Sequence, residues 1–207
     1  MSTDRFYVPR FNVMPTDDVH NFVAAVGTAH LVTVAADGTP DVTYLPVLWL
    51  GDSLVGHLAR ANSHVKRIED GAPALAVVTG PDAYVSPSFY ASKAEHGRVV
   101  PTWNYSAVQL RGTVRLHDDV DWLRGHVRNL TDRHEQGREP RWSVDDAPVK
   151  YVEGQLRAIV GFELVVESVE AKAKLSQNRS AEDRAGVVDG LTGTPGEPVA
   201  RAMRDLD

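Results

Sequence analysis

The sequence predicts an α+β protein built on a single antiparallel β-barrel with peripheral helices. Three observations carry this reading. Six runs are rich in β-branched and apolar residues, turn signals join neighbouring runs as hairpins, and helical periodicity is confined to the segments between them. With 207 residues, 43% of them hydrophobic and 24% charged, the chain can bury a real core. We read residues 1–207 as one domain, with 192–207 a C-terminal tail or short helix.

The elements follow in order. Thr16 can cap a short helix whose Val19, Phe22, Val23 and Val26 fall at helical spacing, and Gly27 is placed to end it. Ala29 to Ala35 and Val42 to Leu50 are two strands joined at Asp37-Gly38, a strong hairpin signal. Leu54 to Leu58 makes a third strand, Ala74 to Thr79 a fourth, Val108 to Leu116 a fifth and Ala158 to Val169 a long sixth. Between the last two, Val120, Leu123, Val127 and Leu130 recur at three- and four-residue spacing, with acids in the first turn and Arg133-His134 near the end. That pattern predicts an amphipathic helix over Asp118 to Glu135. The polar, proline-bearing stretch from Gln136 to Pro148 reads as a surface excursion.

Composition excludes several chemistries. Without cysteine there can be no disulfide, thiolate-bound metal or cysteine nucleophile, and a cytoplasmic location is expected. The opening residues show no basic-then-apolar leader, and no apolar run reaches the roughly 18 residues that span a bilayer, so no membrane association is expected. Twenty-eight acids against 22 bases leave a net charge of −6, and no predicted helix carries a basic reading face. Direct binding to duplex DNA is therefore disfavoured.

Gly56-His57-Leu58-Ala59-Arg60-Ala61-Asn62-Ser63-His64-Val65-Lys66 runs from a strand into a predicted helix, with Asn62 as its N-cap. Helix N-termini attract anions, Arg60 can offer a bidentate fork and Lys66 a point charge a turn later. The plainer alternative is a capped surface helix with two solvated cations. His57 and His64 fit hydrogen-bonded structural roles better than metal ligation, and no metal site is expected. Asp145-Asp146 before Ala147-Pro148 suits a turn or cap. There is no P-loop, no Rossmann glycine triplet, no G-x-S-x-G elbow and no H-E-x-x-H pair, so any redox work would fall to an organic cofactor.

Several ordered blocks are together more specific. Tyr7-Val8-Pro9, the Gly56-to-Asn62 segment, Gly80-Pro81-Asp82-Ala83-Tyr84-Val85-Ser86-Pro87, Pro101-Thr102-Trp103-Asn104-Tyr105, Trp142 to Pro148, and Leu175-Ser176-Gln177-Asn178-Arg179-Ser180 with Asp183-Arg184 resemble the PaiB-type negative transcriptional regulators. The resemblance covers about residues 6 to 191. It implies an FMN-binding split β-barrel related to the pyridoxamine phosphate oxidases, with the flavin phosphate at a strand-to-helix junction. Arg60, Asn62, Ser63 and Lys66 match that position. Val42 to Pro46 would lie along the isoalloxazine ring, with backbone groups of Thr43 and Leu45 as partners; the position of His57 and His64 in the Gly56-to-Lys66 segment would bring both near a ligand bound there. The family often has proline where this chain has Ser63 and an aromatic where it has Val65.

Trp103 and Asn104 are ligand candidates by the same resemblance, against a plainer role as a packed aromatic and a turn former at a barrel rim. Lys174, Gln177, Asn178 and Arg179 concentrate donors after a long apolar strand. They would complete the flavin site from the second subunit of a homodimer. The rival within the same fold is a flavin- or deazaflavin-dependent oxidoreductase with no protein nucleophile. A third reading is a haem-binding variant that takes His57 or His64 as an axial ligand.

Overall fold

The computed structural model describes residues 5–206; residues 1–4 at the start, read above for a leader, lie outside the described residues. Six strands, β1 (Thr28–Val34), β2 (Pro40–Leu50), β3 (Ser53–Ala59), β4 (Pro73–Val85), β5 (Thr102–His117) and β6 (Ile159–Lys174), close as a barrel in the order β1-β2-β3-β6-β5-β4. The helices are α1 (Thr16–Val26), α2 (Ser92–His96), α3 (Val120–Glu135), α4 (Val149–Arg157), α5 (Ala181–Leu191) and α6 (Glu197–Arg204). This is the expected α+β antiparallel barrel with peripheral helices.

The chain groups into two compact units. The first comprises residues 1–22, 79–108 and 170–207, the second residues 23–78 and 109–169. In the second unit, Leu31, Leu54, Leu110, Val114, Phe162 and Leu164 are fully buried, the apolar half of each alternating strand. Each such side chain removed from water contributes about 1.5–3 kcal/mol. Leu123 and Leu156 are buried from α3 and α4. In the first unit the core gathers Val85, Val108, Val187, Val199, Ala200 and Met203.

Local chemistry sets the element ends. Gly27 stops α1 with φ +67°, its N–H returning to the Val23 carbonyl, a left-handed position that suits glycine. Asp119 caps α3 by accepting from Trp122 N–H. Ser180 caps α5 through Asp183 N–H. Ser143 and Asp146 form a reciprocal capping box, the cap reading of the Asp145-Asp146 pair.

Two expectations are corrected. The helix expected from Asn62 is a single 3-10 turn, Ser63–Lys66; its His64 ring is drawn inward to hydrogen-bond Thr33 and Thr43, and the chain turns away at Arg67. Trp103-Asn104-Tyr105 lies inside β5, so Asn104 shapes no turn. Its side chain is fully buried and exchanges hydrogen bonds with Ser176.

Candidate functional site

The expected residues fall into two groups, one in each unit. In the second unit the central feature is β2. Its first edge pairs with β1 from Pro40 to Pro46, whereas β3 pairs with it only over Val47–Leu50. The second edge of Pro40 to Pro46 therefore carries backbone groups with no strand partner.

The register says which groups these are. Val47 N–H donates to Gly27 and Ala35 N–H donates to Thr39, and the ladder between them runs without a break. The odd-numbered residues of this stretch thus aim their backbone groups at β1, and the even-numbered ones aim theirs at the open edge. Thr43 and Leu45, the expected backbone partners of a ring, are consumed by the β1 ladder. Val42 and Tyr44 present the N–H and C=O groups instead.

Side chains tie the turn to this strand. Thr43 Oγ1 lies 2.7 Å from His64 Nδ1 and 3.3 Å from Asn62 Nδ2, and His64 Nε2 lies 2.9 Å from Thr33 Oγ1. Asn62 Oδ1 accepts from His64 N–H at 3.0 Å. Burial pushes the His64 imidazole below its ordinary range; Asp41 opposes that shift and Arg67 adds to it. A neutral ring between two hydroxyls fits, and His64 is a positioning residue for the turn. Ser63 and Lys66 are exposed.

Arg60 is drawn elsewhere. Its guanidinium is paired with Asp118 and donates at 3.0 Å to the carbonyls of Arg157 and Ile159, so every arm of the fork already has an acceptor. Arg67 is likewise engaged by Asp41 and Asp37. His57 Nδ1 sits 3.0 Å from His126 Nε2, and His57 forms part of the wall of an apolar cavity of about 340 Å³ with Leu130, Trp142 and Leu156. Burial lowers the His57 pKa. Burial together with the charge of His57 lowers that of His126 to about 4.

In the first unit, Asn104, Lys174, Asn178 and Arg179 line one cavity of about 370 Å³ with Asn12, Tyr90, Thr102, Tyr105 and Lys172. Lys174 Nζ donates to Thr102 Oγ1, and Arg179 lies 4.6 Å over the Tyr90 ring. Gln177 is spent locally, accepting from Leu175 N–H and donating to the Ala173 carbonyl. Trp103 is half-exposed and meets Tyr84 edge-on at 6.3 Å.

Sequence reasoning missed Lys172, Asn12 and His126. The pattern Glu170-Ala171-Lys172-Ala173-Lys174 held the signal for the first, since lysines two apart on a strand share a face. Among the described residues no cluster of three or more metal-ligating side chains occurs, and no helix is long and apolar enough to cross a membrane.

Comparison with known proteins gives a family and a fold. The family described as "Putative FMN-binding domain" matches residues 6–168. The chain is 31% identical over 205 residues to the protease synthase and sporulation protein PAI 2 of Bacillus subtilis, covering 97% of this chain and 95% of that protein. An uncharacterized protein, AN0679, of Emericella nidulans is 32% identical over 181 residues, with 73% of this chain and 72% of that one covered. Among solved structures, the flavocytochrome Anf3 of Azotobacter vinelandii matches with a TM-score of 0.60 at 22% identity, over 88% of this chain and 80% of that one. The FAD and heme binding protein of Mycobacterium smegmatis matches with a TM-score of 0.60 at 21% identity, over 83% and 77%. At that identity the two structures speak for the fold alone.

Proposed function

Because this chain belongs to the PaiB-type FMN-binding family, we propose that it binds FMN in its second unit. The isoalloxazine edge lies along the open edge of β2, and the phosphate lies at the Ser63–Lys66 turn. One observation carries this: Val42 and Tyr44 present unpaired backbone donors and acceptors beside a turn locked by Thr43, Asn62 and His64. The pyrimidine edge of a flavin alternates the same two kinds of group, and a strand edge reads it at little cost in flexibility. Lys66 and Ser63 are the exposed phosphate donors. When bound, the flavin supplies the redox chemistry, and the chain's part is to hold the ring and the phosphate.

The proposed assembly is a homodimer. Val34, Val42 and Tyr44 are 56%, 61% and 63% exposed on the outer face of β1 and β2, and the register sets Val42 opposite Val32 and Tyr44 opposite His30. A patch of this kind on paired strands suits a two-fold interface. A cysteine-free chain suits the cytoplasm. In this reading a regulatory role runs through the flavin and not through direct grip on duplex DNA, against which a net charge of −6 weighs.

Paired titrations with FMN and riboflavin test the cradle. A charge-assisted contact contributes roughly 1.5–3 kcal/mol, so Lys66→Ala should weaken FMN about tenfold or more and leave riboflavin unchanged. Arg60→Ala, whose fork is held by Asp118, should leave FMN affinity near that of the parent. Equal losses for both ligands, or a loss confined to Arg60→Ala, would move the phosphate away from this turn.

A further inference from the structure

We propose that the cavity of the first unit is a second binding site, which takes a small organic anion: a carboxylate or phosphate ester that also carries an O–H or N–H donor. It reassigns Lys174 and Arg179, expected from the sequence to complete the flavin site of a second subunit, to a ligand of their own, and it does not depend on FMN lying at β2.

The charge pattern comes first. Lys172 and Lys174 are two residues apart on β6 and reach the same cavity, and Arg179 joins them from the following loop. No carboxylate is among the residues that line it. Lys172 is 7% exposed, and its ammonium lies 5.5, 5.7 and 5.3 Å from the rings of Phe6, Tyr7 and Tyr105. It donates to the Tyr7 carbonyl at 3.1 Å. Neither lysine forms an ion pair among the described residues. Burying an ammonium without a counter-charge is costly, and three aromatic faces and one carbonyl compensate it only in part. Burial lowers the Lys174 pKa, Tyr105 opposes that shift and Lys172 adds to it. A bound oxyanion would supply the charge that both lysines lack.

A second feature narrows the class. Asn12 is 3% exposed, and its amide oxygen has no hydrogen-bond partner. An unpaired buried acceptor is unfavourable unless a ligand donates to it. The ligand thus needs a donor as well as an anionic end. Arg179 lies 4.6 Å from the centre of the Tyr90 ring, and its planar fork suits an oxyanion. Phe11, Val100, Pro101 and Tyr105 provide apolar wall, and about 370 Å³ is within the range of small-molecule sites.

Calorimetric titration of the FMN-saturated chain tests this with two compounds, inorganic phosphate and 4-hydroxybenzoate. At least one should bind saturably at one per chain, and which one does assigns the anion. Lys174→Gln should weaken it tenfold or more, Lys174→Arg should retain it, and Lys150→Ala, an exposed position on α4, should not affect it. Arg179→Gln offers a second weakening variant should Lys174→Gln fail to fold. The flavin spectrum should stay constant throughout. No saturable heat with either compound up to about 10 mM overturns the proposal, as does equal affinity in the parent and both glutamine variants. Release of FMN by the anion also overturns it, because the cavity would then be the flavin's own. Should the chain fail to take up FMN, the same titration on the flavin-free protein still reads the anion site, so the two proposals fail separately.

Discussion

His126 is buried on α3, stacked on Trp122 and bonded to His57, with its second ring nitrogen unpartnered. Its folded pKa of about 4 lies below the ordinary 6.5, so the folded chain holds fewer protons than the unfolded chain between those values. Stability from the neutral ring is therefore complete above about pH 6.5 and is lost as pH falls toward 4, a loss on the order of 3 kcal/mol. Urea unfolding between pH 7 and 4 should show this fall, and His126→Gln should flatten it; an unchanged slope would assign the acid sensitivity elsewhere. Single residues were the hardest scale to read from the sequence. Arg60 reads as a phosphate fork because of its place beside the helix start expected at Asn62, yet Asp118 pairs with it from 58 residues away. Thr43 and Leu45 lie on β2, but which alternate residues face its open edge depends on pairing phase, which composition does not encode.

All six strands were foreseen, because alternation and turn residues are local signals. Their lengths were less clear. β4 continues to Val85 through Gly80-Pro81, and β5 begins at Thr102, where turn-forming or polar residues concealed extended backbone held by tertiary pairing. α4 begins directly after Pro148, where the polar excursion ends, and the sequence reading assigned no element to residues 149–157. Strand β3 has a requirement of its own: a Cβ at Gly56 would come within 2.4 Å of the Phe162 ring and 2.9 Å of the Pro46 carbonyl. Gly56→Ala should therefore destabilise the barrel by about 1–3 kcal/mol through overpacking. Gly125, exposed in the middle of α3 with no atom within 4 Å of a built Cβ, is the counterpart. Gly125→Ala should stabilise by about 0.5–1 kcal/mol. Denaturant midpoints that moved in the same direction for both would refute this account of the two positions.

For the molecule as a whole, the fold class and the family were readable because six short blocks occur in order along nearly the entire chain. Partner and ligand contacts were less so, since they depend on surfaces that only the folded chain assembles. The open edge of β2 and the exposed stripe of Val34, Val42 and Tyr44 join the proposed flavin cradle and the proposed dimer on neighbouring strands. Sedimentation velocity of the chain saturated with FMN, recorded in both the protein and the flavin absorption bands, tests that central claim most directly. The account predicts a single boundary at the mass of two chains, with flavin moving in it at one FMN per chain. Flavin left behind as a free small molecule, or a flavin-bearing boundary at the mass of one chain, would contradict it.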